Sequence, residues 1–463
     1  MSNRPKALIF LDADVVIRHF LDSGVLSKLI DSFETTLVFP PKEWNRTVNT
    51  ININQWKTNA IRVAIPSRRR QFLKWLFLID QAQHRWDSEW RAVRRSWLEL
   101  LSKKERLLFQ ILGLPLVSIM ATWRIKKYIN QFPATDFDAF VKSEAPNLLI
   151  HPSTFEGYFI NDLMRISSEM KIPLMLLMNS WDNPVLKRSV VGQPTAVVVW
   201  GPQTKRYAEK FMSIPEERIH IFGAAQFEIF KTEPKRTRAE ICRLNGIPQE
   251  AQIILYAGSS KDSLESKHLL MLDDSIEGGY ISDSTCKVLY RPHPYGLAAE
   301  EAAKILDTKF KHIIIEQAMR VFLMQVSQKQ NRGFYNTPYQ DTHDLLSSID
   351  AIISPLSTIL IEAGLHGKPA MCFVPEEEMS ITWLKIMGLV CFQELMQNPK
   401  IILSKSYDTY LDSVHLLVKR AKDRREQSEI QLAMEFFVAS PKLPYSSAIQ
   451  RLAHELIEHK RLA

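Results

Sequence analysis

The sequence predicts an α/β protein made of two Rossmann-like domains, and three observations support this prediction. The chain has 463 residues, of which 46% are hydrophobic, so it is long enough for two cores of about 200 residues each. Short apolar runs alternate with helical patterns in two successive sets, which is typical of parallel sheets with crossover helices. A polar stretch at residues 228–238 separates the two sets and is the predicted linker.

The first set begins with a buried strand at residues 7–12, an amphipathic helix at 16–33 and a second strand at 36–39. Pro40 and Pro41 end that strand, because proline has no N–H for the ladder. A mostly helical basic segment follows, as far as residue 132. The pattern then predicts strands at 148–151, 173–178, 196–200 and 219–222, with helices at 158–170 and 204–212.

The second set has the same alternation and ends in helices. Strands are predicted at 253–257, 286–291, 312–316, 351–354 and 370–374, and helices at 406–435 and 446–461. We expect an N-terminal domain over 1–228 with a helical basic insertion at 42–132, a second domain over 239–440, and a final helix at 441–463 that packs back on the first domain. Two such domains facing each other across a cleft form the architecture called GT-B, which does not by itself fix a function.

The insertion carries most of the positive charge. From Arg62 to Lys127 there are 15 Lys and Arg residues against five acids, which gives +10, whereas the whole chain carries +8. Five tryptophans lie in the same span: Trp75, Trp86, Trp90, Trp97 and Trp123. One interpretation is a helical insertion with core tryptophans and a solvated charged face. The alternatives are a surface for anionic lipid head groups and, less favoured, for nucleic acid.

Nothing in the sequence indicates secretion. The first residues are polar and lead directly into a strand, and the longest apolar stretch, 107–120, is interrupted by Gly113 and Pro115. The four cysteines are far apart and have no metal-ligand spacing, so buried reduced thiols are expected. We therefore expect a cytoplasmic protein, with peripheral attachment to the inner face of the membrane as an extension of that prediction.

Two stretches in the second domain indicate a phosphate-binding site. Residues 287–294 and 350–369 each read as an apolar strand that ends in a tight polar turn, and the second turn leads into a helix. Ligands sit at strand ends in parallel α/β sheets, and backbone N–H groups at a helix start can bind a phosphate. Ser357 and Thr358 are the candidate caps and phosphate ligands, and Glu362 could accept hydrogen bonds from a ribose diol. An ordinary capped helix remains the alternative.

Two further turns strengthen the nucleotide interpretation. In Arg291-Pro292-His293-Pro294 the prolines hold His293 on a stiff turn, where it could stabilise a leaving phosphate, and Arg291 could add a fixed charge. Gly258-Ser259-Ser260 ends the first strand of the second domain and also suits a phosphate, although strand-to-helix turns often contain these residues. The predicted nucleotide site therefore comprises Gly258, Ser259, Ser260, Arg291, His293, Pro294, Ser357, Thr358 and Glu362.

Candidates for the chemistry on the acceptor side lie in the first domain. Asp182 follows a buried strand and could serve as general base for an attacking hydroxyl, and Glu156 is the rival base. Asp14, Arg18 and His19 follow the first strand and could contact acceptor or donor. For each of these the structural alternative is a turn cap or loop salt bridge. The Asp12-Ala13-Asp14 pattern does not fit a metal site, so no catalytic metal and no cofactor are expected.

Several motifs resemble one family of bacterial enzymes. Residues 16–21, Ser180-Trp181-Asp182-Asn183, 199–204 and 214–224 are similar to motifs of surface-polysaccharide GT-B transferases related to CDP-glycerol glycerophosphotransferases and capsule-polysaccharide enzymes. The resemblance extends to Arg291-Pro292-His293-Pro294 and to 357–363. It implies that His293, Ser357 and Thr358 contact donor phosphates, that Glu362 contacts the ribose, and that acceptors are lipid-linked or polymeric. The chain has no clear histidine–glycine turn in its first half, which favours a sugar over glycerol phosphate as the transferred group.

The prediction is therefore a metal-independent glycosyltransferase that moves a sugar from a nucleotide-activated donor to a surface polysaccharide or lipid-linked glycan. Three alternatives remain open from the sequence. They are a CDP-glycerol-type polyol-phosphate transferase, an enzyme like the nucleotide-sugar 2-epimerases, and a non-catalytic protein that binds lipid or nucleic acid.

Overall fold

The computed structural model of the chain describes residues 4–42, 58–66, 71–72, 75–76, 78–79, 101–131, 135–153, 157–186, 192–259, 263–281, 285–294, 296–330, 337–378 and 387–462. The chain divides into two compact units. The first contains Met1–Glu228 and Phe437–Ala463, and the second contains Ile229–Phe436. The chain thus leaves the first unit once and returns to it near its end.

The first unit is built on a seven-stranded parallel sheet in the order β3-β2-β1-β4-β5-β6-β7. Its strands are β1 (Lys6–Phe10), β2 (Glu34–Phe39), β3 (Asn59–Arg62), β4 (Leu148–His151), β5 (Leu174–Leu177), β6 (Ala196–Val199) and β7 (Ile219–Ile221). The sheet starts at its centre and grows outward in both directions. It therefore has a reversal of strand order between β1 and β4, the kind of position where such sheets bind ligands.

The helices of the first unit include α1 (Asp14–Val16), α2 (Ser27–Ser32), α3 (Lys103–Leu112), α4 (Pro115–Asn130), α5 (Asp136–Glu144), α6 (Ile160–Met170), α7 (Asn183–Leu186) and α8 (Pro202–Met212). A π-helix covers Ile17–Asp22, and 3-10 turns cover Glu216–Arg218 and Ala225–Lys231. Capping boxes begin two helices: Ser102 with Glu105 for α3, and Thr135 with Asp138 for α5.

The second unit has a six-stranded parallel sheet in the order β10-β9-β8-β11-β12-β13. The strands are β8 (Ile253–Ala257), β9 (Lys287–Arg291), β10 (Ile313–Ile315), β11 (Ala351–Ser354), β12 (Ala370–Phe373) and β13 (Ile401–Ser404). Numbered within the unit, this is the order 3-2-1-4-5-6 of the doubly wound Rossmann sheet.

The helices of the second unit alternate with these strands. They include α9 (Arg238–Asn245), α10 (Glu265–Glu277), α11 (Ala299–Asp307), α12 (Gln317–Ser327), α13 (Tyr339–Ser348), α14 (Ile359–Leu365), α15 (Val390–Met396), α16 (Tyr410–Ala421) and α17 (Glu426–Met434). A 3-10 turn covers Glu376–Glu378. The last helix, α18 (Tyr445–Leu462), belongs to the first unit, where Tyr445, Ile449 and Leu452 join Leu29 and Phe33 in the core.

The central strands are apolar runs because helices cover both faces of a parallel sheet. All four residues of β4, β5, β6, β11 and β12 are buried. A fully buried Leu, Ile or Val contributes about 1.5–3 kcal/mol to stability. The two sheets therefore form two separate apolar cores, and the loops at their carboxyl edges carry the polar side chains.

Four details differ from the sequence-based prediction. The predicted helix at 16–33 consists of α1, a π-helix that continues directly from it, and α2; Gly24, with a left-handed φ of 75°, lies between the π-helix and α2. The predicted helical insertion contains a strand, β3, at the edge of the first sheet. Strand β13 was not predicted, and the predicted helix at 406–435 is two helices, α16 and α17.

Candidate functional site

Three adjacent strands of the second sheet end in the loops that were predicted to bind phosphate. Strands β9, β8 and β11 are parallel neighbours, so their carboxyl ends lie at the same edge. The strand order reverses between β8 and β11, which is where open α/β sheets bind ligands. The described candidates on these loops are Gly258, Ser259, Arg291, His293, Pro294, Ser357 and Thr358.

A buried carboxylate, Glu265, supports the loop after β8. Its Oε1 accepts the backbone N–H of Ser259 at 2.7 Å, and its Oε2 accepts the Tyr290 hydroxyl at 2.6 Å. A Cβ atom on Gly258 would lie 2.4 Å from Glu265 Oε2, so only glycine allows this approach. Burial raises the pKa of Glu265 to about 7, although both hydrogen bonds act to lower it. The N–H of Ser259 is therefore engaged within the protein.

Arg291 ends β9 and forms a buried ion pair with Glu316, which follows β10. Nε and Nη2 both donate to the Glu316 carboxylate, the latter at 2.6 Å, and Nη1 donates to Thr342 Oγ1 at 3.3 Å. Burial acts to lower the pKa of Arg291, but the charges of Glu316, Glu362 and Asp341 outweigh it and leave the pKa raised. The guanidinium thus holds the start of the proline turn, and its contact with a donor phosphate stays a prediction.

Glu362 and His293 follow strands that end at the same edge of the sheet. Glu362 is half-buried in the first turn of α14, and its charge contributes to the raised pKa of Arg291. His293 is half-buried two residues beyond Arg291, and its carbonyl oxygen accepts the N–H of Gly296 at 2.7 Å in a tight turn. The proline turn after β9 and the helix after β11 therefore present a histidine and a carboxylate in the same region of the unit.

Ser357 and Thr358 lie half-buried between β11 and α14. Thr358 is the N-cap residue, but its side chain makes no capping hydrogen bond. The prediction that its hydroxyl caps the helix was therefore wrong. The helix is seven residues long, and Gly367 follows it with a left-handed φ of 69°, a conformation in which glycine commonly ends helices. A contact between either hydroxyl and a phosphate stays a prediction.

Two histidines that sequence patterns did not reveal, His343 and His366, lie at the C-terminal end of α14. His366 Nδ1 is 2.7 Å from the carbonyl oxygen of Glu362, and His366 Nε2 is 2.8 Å from His343 Nδ1. His343 Nε2 is in turn 2.9 Å from the carbonyl oxygen of Thr232. Burial is the main cause that lowers the pKa of His366 to about 4; the neighbouring His343 also acts to lower this pKa, and the bond to Glu362 acts to raise it. This chain of contacts ties the end of α14 to the segment at Thr232.

In the first unit, Asp182 lies in a loop that is fixed by a side-chain hydrogen bond and by aromatic packing. The Ser180 hydroxyl donates to Asp182 Oδ1, which leaves the half-buried carboxylate oriented by its own loop. Trp181 is buried and packs edge-on against Phe437 with ring centroids 5.8 Å apart. The loop follows β5, and such an oriented carboxylate can accept a proton from a hydroxyl group.

The π-helix brings His19 to the same loop. His19 Nδ1 lies 3.0 Å from the carbonyl oxygen of Asn179, and the ring is buried. Arg18 belongs to the same π-helix and Asp14 to the preceding α1. Asp14 Oδ1 is buried and makes no hydrogen bond with the described residues. π-helical turns are frequent at functional sites, and the acceptor-side roles of Asp14, Arg18 and His19 stay predictions.

The structure also pairs Asp12 with His151, which sequence patterns did not select. Asp12 follows β1 and His151 ends β4, the two strands between which the order of the first sheet reverses. Asp12 Oδ2 is 2.9 Å from His151 Nε2 and accepts the N–H of Tyr158 at 2.8 Å. Both side chains are almost completely buried. The pair could have been predicted from the polar residue at the end of each strand, together with the predicted doubly wound strand order.

Two predicted site residues, Glu156 and Ser260, lie outside the described residues. Within the described part of the chain, no group of three or more His, Cys, Asp or Glu side chains is arranged to hold a metal ion. All four cysteine side chains are buried, and none forms a disulfide.

Several solved structures have the same fold as this chain. A UDP-N-acetylglucosamine 2-epimerase has a TM-score of 0.53 at 11% identity, covering 100% of this chain and 98% of its own. The S. aureus MnaA–UDP co-structure has a TM-score of 0.51 at 10% identity, with 99% and 98% covered. The wall teichoic acid polymerase TagF, at 10% identity with 99% and 90% covered, has a TM-score of 0.47, too low to support an argument.

No protein-family model matches the chain, and no curated protein is similar to it in sequence. The two parallel sheets, their strand orders and the whole-chain structural matches establish the GT-B fold, and the predicted fold class is confirmed. One of these matching structures is a UDP-N-acetylglucosamine 2-epimerase. The likeness defines the class of fold, whereas the reaction has to be argued from the residues at the sheet edges.

Proposed function

We propose that the protein is a glycosyltransferase that takes a sugar from a nucleotide-activated donor and attaches it to a hydroxyl of a surface polysaccharide or lipid-linked glycan. The supporting observation is the convergence of three loops at the carboxyl edge of β9, β8 and β11, where the order of the second sheet reverses. In this proposal the second unit binds the nucleotide donor, and the first unit binds the acceptor and provides the base for its hydroxyl.

Two groups in the second unit have suitable chemistry for a nucleotide diphosphate. His293, held on a proline turn, would donate a hydrogen bond to the phosphate that leaves with the nucleotide and offset its developing charge. Glu362, in the first turn of the next helix, would accept hydrogen bonds from the ribose hydroxyls. The ion pair between Arg291 and Glu316 supports this arrangement by fixing the end of β9.

On the acceptor side, Asp182 is the proposed base. Ser180 donates to one carboxylate oxygen, which leaves the other available to accept the proton of the attacking hydroxyl. Sequence resemblance to the surface-polysaccharide transferases in the Ser180–Asn183 motif supports the same role. Glu156 remains the alternative base.

The first experiment is a thermal-shift screen of the intact protein against CMP, CDP, UDP, GDP and their sugars. A ligand that binds only the native state raises the melting temperature, so at least one nucleotide should do so. UDP is the first to test, because one structure with this fold was solved with it. His293→Ala and Glu362→Ala should abolish the shift, whereas His415→Ala and Glu435→Ala, at exposed positions of the same unit, should preserve it. No shift with any nucleotide would overturn the proposal.

A second candidate is a nucleotide-sugar 2-epimerase, since one structure with this fold is that of a UDP-N-acetylglucosamine 2-epimerase. An epimerase needs no acceptor, so incubation with UDP-N-acetylglucosamine alone would produce the epimeric sugar nucleotide. A glycosyltransferase would leave the donor unchanged until an acceptor is added, and a polyol-phosphate transferase would respond to CDP-glycerol instead. Separation of the nucleotide products by ion-exchange chromatography distinguishes the three.

A further inference from the structure

Helices α3 and α4 present an apolar face to solvent. On α3, Leu107, Leu108 and Ile111 are 41–60% exposed, and on α4 Leu116, Ile119, Met120 and Trp123 are 63–77% exposed. Leu114 between the helices is 47% exposed. Residues 116, 119, 120 and 123 follow helical spacing, so they form one stripe. A surface helix of a soluble protein normally turns its polar residues outward, and a cluster of exposed large apolar side chains marks an interaction site.

The opposite face of α4 is already occupied, so the apolar stripe is the outer surface. Leu76 packs in a small cluster with Phe72 and Ile125, and the rings of Phe72 and Tyr128 have centroids 4.5 Å apart. The stripe therefore does not belong to the core of the first unit.

Basic residues flank this surface at both ends. Lys103, Lys104 and Arg106 lie at the start of α3, and Arg124, Lys126 and Lys127 lie near the end of α4. All six are exposed, and Glu105 is the one acid between residues 101 and 131. Lys127 Nζ also lies 5.3 Å from the centre of the Trp123 ring. Apolar residues bordered by cations and a tryptophan match the composition of the boundary between acyl chains and anionic head groups.

Neither of the two helices is long enough by itself to cross a bilayer. No single helix among the described residues is long and apolar enough to span it, whereas Lys103–Leu112 and Pro115–Tyr128 together are, but with a bend of 105° between them. At 1.5 Å per residue, α4 is about 24 Å long, less than the roughly 30 Å of the hydrocarbon layer. Pro115 stabilises the bend, because it lacks an N–H and favours the first position of a new helix.

We propose that the bent pair of helices α3 and α4 is a membrane-docking element. Its exposed apolar residues enter one leaflet of an anionic bilayer, and its six cations contact the head groups. The first unit would thereby be held at a lipid surface, where a lipid-linked acceptor would also lie. The inference is independent of the nucleotide site, since it rests on exposure and charge in the first unit alone.

The test is co-sedimentation of the full-length protein with vesicles of phosphatidylcholine alone and of phosphatidylcholine mixed with phosphatidylglycerol, without nucleotide or acceptor. Binding to the mixed vesicles should be tighter and should weaken as salt is raised. The double variant Leu116→Ser/Met120→Ser should lower the affinity by about tenfold or more, because two large apolar side chains no longer enter the lipid. The pair Lys103→Glu/Lys104→Glu should remove the preference for anionic vesicles.

A matched control separates docking from general hydrophobicity. Val321→Ser/Leu432→Ser changes two side chains of the second unit that are 64% and 69% exposed, and it should bind vesicles like the unaltered protein. Unchanged melting temperatures would show that all variants are folded. The proposal is overturned if the unaltered protein stays in the supernatant, or if Leu116→Ser/Met120→Ser binds equally well. It is also overturned if this variant only converts a dimer to a monomer, since the face would then bind a second copy. A nucleotide-binding failure would leave these results unaffected.

Discussion

Asp12 and His151 form a buried pair between neighbouring strands of the first sheet, with 2.9 Å between Asp12 Oδ2 and His151 Nε2. The other ring nitrogen, Nδ1, contacts the carbonyl oxygen of Ser153, and the carboxylate also accepts the N–H of Tyr158. A Cβ on Gly157 would lie 2.1 Å from Asp12 Oδ2, so the carboxylate fills the space next to this glycine. The pair therefore fixes both ends of the loop after β4, where the sheet reverses its strand order.

From this pair we expect a large, non-additive loss of stability. Asp12→Ala or His151→Ala should each lower the free energy of unfolding by about 3–5 kcal/mol, because the remaining partner stays buried without compensation. The double variant should cost clearly less than the sum of the two. Urea unfolding of the four proteins measures this. The half-exposed pair Lys6–Glu144 is the control, for which the same cycle should give less than about 1 kcal/mol. Additive losses at Asp12 and His151 would contradict the pairing.

Glu265 should make the stability of the protein fall as pH rises. Burial raises its pKa from 4.5 to about 7, so the folded chain keeps a proton that the unfolded chain has already lost. Its stabilising effect is complete below about pH 4.5 and is lost as pH rises to about 7, with a total change of about 3 kcal/mol.

Glu265→Gln should remove this component, because the amide does not ionise. The free energy of unfolding, measured in urea at several pH values between about 4.5 and 8, should fall less steeply in the variant than in the unaltered protein. Glu300→Gln, at an exposed position of the same unit, should leave the profile unchanged. Identical slopes for Glu265→Gln and the unaltered protein would show that Glu265 is already ionised throughout this range.

The close approach of Gly258 to Glu265 gives a steric prediction. Gly258→Ala should destabilise the protein by about 1–3 kcal/mol, since the new methyl group must displace a fixed carboxylate. In a Glu265→Ala background the same change should cost much less, because the obstructing atoms are gone. Thermal unfolding of the single and double variants checks this, and Gly278→Ala, which meets only Asp274 O at 3.1 Å, is the control. An equal cost in both backgrounds would place the strain elsewhere.

The central strands of both sheets could be predicted from the sequence, whereas the edge strands β3 and β13 could not. Strands such as β8 and β11 are continuous apolar runs because both faces are covered, and this pattern is readable without a structure. Strand β3, with the sequence NAIR, has one exposed and three half-buried residues, so its composition resembles a loop. Strand β13 has only three apolar residues, which also fit a helix or a turn.

At the candidate site, local sequence patterns likewise identified some residues but not their long-range contacts. Asp182, Arg291 and His293 were selected as candidates because polar residues after an apolar run indicate the carboxyl end of a strand. The partners of these groups depend on contacts across the fold that no local pattern encodes. Glu316 is 25 residues from Arg291, and Asp12 is 139 residues from His151. The raised pKa of Glu265 likewise results from burial, which the sequence of helix α10 does not reveal.

The proposed roles of Asp182 and Ser180 predict two different losses of activity. Once a donor and an acceptor are identified, Asp182→Asn should lower kcat by about 10²–10⁴-fold, because the amide cannot accept the proton of the attacking hydroxyl. Ser180→Ala removes only the hydrogen bond that orients the carboxylate, so a loss of about tenfold is expected. Steady-state kinetics of transfer measure both, and nucleotide binding by thermal shift should be unchanged, since the two residues belong to the first unit. If Asp182→Asn retains full kcat, Asp182 is not the base, and Glu156 becomes the residue to replace.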